Sequence, residues 1–231
     1  MGRTGKLAPP WAPLAAAAML VAGCNNETLF KSNFDQGVVG QKPAAAQAVG
    51  TAALDGPNGA VLISQVPGQN GKWVKVTRTA NQTSVSGFQG NFSQFKGDGQ
   101  YTFSTTMFMP TGAGTSTVQF EKLGQPISQP LSFLHLDFLP NNKVQIDDDA
   151  GTQFGAFPRD KPFLVQVTLN IANPSSTAHV VLAGDGASGT ADRTIQIQTL
   201  AHQFGAVRLW MGFPHTGAFH AANVAVTRKK D

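Results

Sequence analysis

Residues 131 to 139 read Leu-Ser-Phe-Leu-His-Leu-Asp-Phe-Leu, residues 140 to 142 Pro-Asn-Asn, and residues 143 to 147 Lys-Val-Gln-Ile-Asp. Successive side chains of a β-strand point to opposite faces, so Leu134, Leu136 and Phe138 fall on one side and His135 and Asp137 on the other. Pro140, Asn141 and Asn142 supply the fixed or positive φ that a tight connection needs, which makes the stretch a β-hairpin. Similar β-rich runs recur outward from it. Before it lie Trp73 to Thr77, Tyr101 to Met109 and Thr117 to Glu121. After it come Phe163 to Ile171, Ala178 to Ala183, Arg193 to Gln198, Ala206 to Phe213 and Ala222 to Arg228. With 25 glycines and 14 prolines, few segments could complete three helical turns unbroken, and Ala44 to Ala48 is too short to be a stable helix alone. Many short strands without crossover helices predict an all-β antiparallel sandwich or barrel. No repeat or composition break divides it, so one domain is expected over residues 28 to 228.

The amino end has a different character. Arg3 and Lys6 precede the apolar run Leu14 to Ala22, which ends in Val21, Ala22, Gly23 and Cys24. Nine apolar residues are too few to span a bilayer, which takes roughly 20, and the order charged, apolar, small is that of an export signal. Its end resembles the lipobox of bacterial lipoproteins. The resemblance implies that residues 1 to 23 are removed and that Cys24 is lipidated. The bilayer is then a partner through acylated Cys24, and two or more chains hold a domain more firmly than one. Cys24 is the only cysteine in the chain, so it has no disulfide partner within it. Residues 24 to 27 read as a short lipidated tether. Asn25 stands where an aspartate would favour retention in the inner membrane of many enteric-type bacteria, which points to the outer membrane.

Charge excludes one class of partner. With Arg3 and Lys6 removed, the seventeen Lys and Arg fall to fifteen, against thirteen Asp and Glu. Setting aside Arg228, Lys229, Lys230 and Asp231 leaves twelve of each. A neutral body lacks the basic face that nucleic acid requires. Residues 229 to 231 read as a solvated basic tail.

The run Leu29, Phe30, Lys31, Ser32, Asn33, Phe34, Asp35 with Val39, Gly40 and Pro43, and the closing strand Gly217 to Val226, resemble the concanavalin A-like lectin and glucanase superfamily, which includes laminin G-like domains. The resemblance implies a jelly-roll sandwich whose first and last strands pair. It also implies sugar binding or polysaccharide cleavage as the first functional classes, and a structural calcium for which Asp35 and Asn223 are the candidates.

The residue inventory limits the chemistry. Laminarinase-like members carry Glu, any, Asp, any, any, Glu on one strand, whereas this chain has only Glu27 and Glu121. Glu121, followed by Lys122, reads as an exposed strand-end ion. His135 and Asp137 share a strand face, where a carboxylate could orient an imidazole as base or metal ligand. Jelly-roll lyases add a tyrosine, and Tyr101 is the only one here. Exposed cross-strand partners are the plainer reading of that pair, and no triad is assignable. Asp147 and Asp149 flank Asp148 in an acidic loop that could hold a hard cation, although the EF-hand spacing is absent. Trp73 and Trp210 lie in apolar strands and read as core. Phe88, Phe92 and Phe95 stand in a Gly, Gln, Asn and Ser background and, with His215 and His220, are the candidates for a glycan surface. No cofactor is required by these residues. They favour a non-catalytic glycan-binding or structural module of the cell envelope. A polysaccharide lyase or hydrolase, and a protein-binding scaffold, stay open as alternatives.

Overall fold

The computed structural model describes residues 26–129 and 131–230. The signal segment and Cys24 lie outside the described residues. In chain order the first strands are β1 (Asn26–Ser32), β2 (Thr51–Asp55), β3 (Val61–Ser64), β4 (Trp73–Arg78) and β5 (Ser86–Asn91). Next come β6 (Gly99–Phe108), β7 (Ser116–Lys122), β8 (Ser132–Phe138), β9 (Val144–Ile146) and β10 (Asp149–Phe154). The last are β11 (Pro162–Ile171), β12 (Thr177–Gly184), β13 (Ala187–Thr194), β14 (Phe204–Met211) and β15 (Gly217–Lys229). Between β13 and β14 lies a four-residue helix, α1 (Gln198–Ala201). No described helix is long and apolar enough to cross a membrane.

The strands form two antiparallel sheets. One follows the order β13-β12-β11-β6-β15-β4-β3, with β1 also paired to β15, and the other β10-β9-β8-β7-β14-β5-β2. The expected hairpin closes with Leu139 N donating to Lys143 O at 2.9 Å and Asn142 at φ 65°. The first and last strands pair as the resemblance implied, from Asn26 opposite Lys229 to Ser32 opposite Val224. Asn26, Glu27 and Lys229 are therefore strand residues, not tether and tail, because pairing satisfies backbone groups that would otherwise be left to water. Arg193 to Gln198 is also corrected: β13 ends at Thr194, and Gln198 opens α1.

Alternation along each strand builds the core between the sheets. Phe103 of β6 meets Phe120 of β7 edge-on, with centroids 5.4 Å apart, and Phe163 of β11 meets Phe138 of β8 at 5.9 Å. Phe88 is fully buried against Phe34 and Phe30, and Phe92 is buried against Phe204. Both were expected on an exposed surface, yet their polar neighbours in sequence face outward while the rings face inward. The second cluster sits elsewhere: buried Trp73 packs with Val66, Ala222 and Phe108 on the outside of the larger sheet.

β5 is the strand that its own composition hides. Its Gly90 lies under the ring of Phe30, and a Cβ there would stand 2.6 Å from two ring atoms. Glycine is thus a packing requirement at this position. Gly90→Ala is expected to lower the unfolding free energy by about 1–3 kcal/mol, the usual range for overpacking a core. Urea denaturation checks this, and an unchanged midpoint would show that Phe30 gives way freely.

Candidate functional site

With apolar residues turned inward, the outward residues of the seven-stranded sheet form rows in register. One row runs Ala53, Gln89, Arg208, Gln119, His135 across β2, β5, β14, β7 and β8. The next runs Asp55, Gly87, Trp210, Thr117, Asp137 and reaches Gln145 on β9. The row between them on the chain, Leu54, Phe88, Leu209, Val118, Leu136, faces the core.

Arg208 organises the centre of this face. It is only 2% exposed, and its Nη2 donates to Asp55 Oδ2 at 3.0 Å. The guanidinium lies over the Trp210 ring, 5.2 Å from its centroid. Gly87, between Asp55 and Trp210, clears the way, since a Cβ there would be 3.3 Å from Arg208 Nε. Trp210 is half-buried with its Nε1 unpartnered among the described residues. It stands on the outer face, and so is not the core residue that its apolar strand suggested.

Glu121 departs most from expectation. It is fully buried, and neither carboxylate oxygen has a hydrogen-bond partner among the described residues. Burial pushes its pKa up to about 7, against the opposing pull of Arg208. Both neighbouring strands break register beside it, β8 between the partners of Phe120 and Glu121 and β14 between Phe204 and Ala206. The β7–β8 connection crosses the same region, where Gln125 O accepts from Gln89 Nε2 at 3.2 Å. A bulge re-aims a strand residue, and Glu121 lies beside two of them.

At the other side of the face the β9–β10 turn leans onto β8. Asp147 and Asp148 have φ of 53° and 56°, as a two-residue hairpin turn of the primed kind demands. Asp147 Oδ1 accepts from the His135 amide at 3.0 Å, and Asp149 Oδ1 from the Gly151 amide at 2.9 Å. These two expected cation ligands thus brace the turn. The group that converges is His135, Asp137 and Asp148: His135 Nε2 is 3.5 Å from Asp137 Oδ2 and 3.3 Å from Asp148 Oδ2. Their ligand atoms all lie within 4.8 Å of one another, close enough for one ion. Asp137 is buried, which raises its pKa, while the hydrogen bond from Thr117 at 2.5 Å and the charge of His135 act in the opposite direction.

The other sequence candidates are dispersed. Tyr101 does not join His135 and Asp137, because the odd residues of β6 face inward. Its hydroxyl donates to Gly97 O and its ring packs on Phe204, inside the sandwich. His220 lies on the outside of the larger sheet, 3.0 Å from Ser64 Oγ, with burial and Lys75 lowering its pKa to about 4. His215 belongs to the β14–β15 turn, and its carbonyl accepts from Arg78 at 2.7 Å. Phe95 is exposed on the β5–β6 connection. Asp35 is engaged by Lys72, and Asn223 sits at φ 53° where β15 breaks register with β6. Arg208 and Gln119 are not among the sequence candidates, while Trp210 is expected in the core and Glu121 at an exposed strand end. The signal was there in Val207-Arg208-Leu209-Trp210-Met211, whose alternation sets Arg208 and Trp210 on one face.

Among solved structures the chain is similar to lectin I from Ulex europaeus, in complex with the methyl glycoside of α-L-fucose. The TM-score is 0.54 at 11% identity, over 89% of this chain and 98% of that one. It is also similar to arcelin-5, a lectin-like defense protein from Phaseolus vulgaris, with a TM-score of 0.53 at 10% identity over 90% and 100%. A third likeness is to the catalytic domain of a glycoside hydrolase family 131 protein from Coprinopsis cinerea, with a TM-score of 0.54 at 12% identity over 87% and 94%. The fold is thus a concanavalin A-like antiparallel jelly-roll β-sandwich. No protein-family model and no curated protein matches the chain.

Glu121 gives a signed pH dependence. An acid whose folded pKa is raised contributes its full stability below the unfolded value, here 4.5, and loses it as pH rises through about 7. Between pH 4 and pH 8 the native chain is expected to lose up to about 3 kcal/mol more stability than Glu121→Gln. Urea unfolding of both across that range checks it, and parallel curves would show that Glu121 ionises freely.

Proposed function

We propose that the chain is a glycan-binding module of a bacterial cell envelope, anchored through acylated Cys24 in the outer membrane. Its ligand lies on the outer face of the seven-stranded sheet, between Trp210 and His135. The observation that carries this reading is the pair of in-register outward rows, in which Trp210 stands beside Arg208, Thr117, Gln119 and Asp137. A sugar offers one apolar ring face and many hydroxyls. A half-buried indole backed by a guanidinium can stack on the first, and His135 with the exposed carboxylate of Asp148 at the margin of the face can bond the second. The fold alone does not fix a function. The lectin crystallised with a fucoside and the lectin-like protein among the similar structures support sugar as the ligand class.

His135, Asp137 and Asp148 would hold a divalent cation at the margin of this face. One imidazole and two carboxylates suit zinc or manganese better than calcium, which takes oxygen ligands. Such an ion would fix the β9–β10 turn against β8 and offer open positions to sugar hydroxyls.

A glycan array probed with the mature protein, beside a screen for polysaccharide cleavage, tests the reading. Retention of a glycan without product is expected, and Trp210→Ala should weaken it about tenfold, a loss of roughly 1.4 kcal/mol. Phe95→Ala, on the β5–β6 connection at the opposite end of the sandwich from Trp210, should leave it unchanged. Turnover would replace the module with an enzyme, and retention of no glycan would favour a protein-binding scaffold. For the cation, a rise in melting temperature with zinc or manganese is expected for the native chain and not for His135→Ala. Equal shifts in both would place the ion elsewhere.

A further inference from the structure

One end of the sandwich combines features that no single element explains. Strands β5, β7, β11 and β13 finish there and β6, β8, β12 and β14 begin there, so four connections gather at it. β1 also starts at this end and β15 finishes there, with Asn26 opposite Lys229. Only Asn25 separates Cys24 from the paired strand. Two Cα steps reach at most about 7 Å, so a lipid on Cys24 would hold this end of the domain at the bilayer.

The same end carries exposed apolar side chains. Phe95 on the β5–β6 connection is 48% exposed, Leu131 before β8 is 44% and Ile197 before α1 is 47%. Their supports adjoin one another. Phe95 lines a shallow hollow with Lys122, Leu123 and Gln203, Lys122 N donates to Leu131 O at 3.0 Å, and Leu123 N to Gln203 O at 2.9 Å. Gln203 follows the turn of α1 that Ile197 opens. Scattered surface apolar groups need no explanation, but a set around an anchor point does.

Charge at this end has the matching sign. Glu27 is paired with Lys96 at 2.6 Å and Asp98 with His202 at 2.5 Å. Lys229 and Lys230 are exposed, and Lys122 is half-buried beside Leu131.

We propose that this end of the sandwich docks on a phospholipid surface, with Phe95, Leu131 and Ile197 entering the interface and Lys122, Lys229 and Lys230 facing anionic head groups. The docking rests on the lipidation of Cys24 stated above. Its consequence is orientation: the strands stand upright on the bilayer. Trp210, six residues along β14 from Phe204, is then held about 20 Å above the docking end.

Single-cysteine variants of the mature lipidated protein test this. Acylation consumes Cys24, so Phe95→Cys, Leu131→Cys, Ile197→Cys and Phe213→Cys each carry one thiol for an environment-sensitive fluorophore. They are placed in phosphatidylglycerol–phosphatidylcholine vesicles whose acyl chains bear bromine quenchers, and intact mass first reports whether Cys24 is acylated. The expected result is severalfold stronger quenching at positions 95, 131 and 197 than at 213. Changing Lys229→Gln and Lys230→Gln together should then lower the docked fraction, by about fivefold in its equilibrium constant per charge. Acylated protein with equal quenching at all four positions, or most at 213, overturns the docking and leaves the anchor standing. A protein with no acyl mass on Cys24 overturns the anchor and the docking together.

Discussion

A buried guanidinium is costly unless it is paired, and Arg208 is the cation around which the outer face of the seven-stranded sheet is arranged. Asp55 answers it from β2 at 3.0 Å, across a strand whose Gly87 has no side chain in the way. Trp210 lies against it, and Glu121 senses its charge without a hydrogen bond to it. Removing any one of these changes the surroundings of the others. The outward rows are therefore a coupled set of polar groups withdrawn from water, unlike the solvated outside of an ordinary sheet.

The geometry of β-strands explains both the core and this face. A period of two sends Phe88, Leu209, Val118 and Leu136 inward and Gln89, Arg208, Gln119 and His135 outward from the same four strands. A slip of one residue would exchange the two sets. The bulges beside Glu121 occur near the end of β7, and Glu121 there is a buried acid.

Much of this was legible in the sequence. The β8–β9 hairpin, the long strands β6, β11 and β14, and the pairing of first and last strands follow from alternation, turn residues and the superfamily resemblance. β5 was not legible, because Ser-Gly-Phe-Gln-Gly-Asn has the composition of a loop. Its two glycines serve neighbours remote in sequence, Phe30 for Gly90 and Arg208 for Gly87. Tyr101 and Phe92 were mistaken for site residues because composition does not say which side of a sheet is covered. The spacing of His135 and Asp137 puts both on one strand face, where they lie 3.5 Å apart, whereas the approach of Asp148 depends on a turn that only the folded chain brings over β8.

We propose that ligand meets the outer face of the seven-stranded sheet. Hydrogen–deuterium exchange of the mature protein, with and without a retained oligosaccharide, tests it most directly. Slowed exchange concentrated in β7, β8 and β14 is the result predicted, and protection confined to β6, β11 and β15 of the opposite sheet would contradict it.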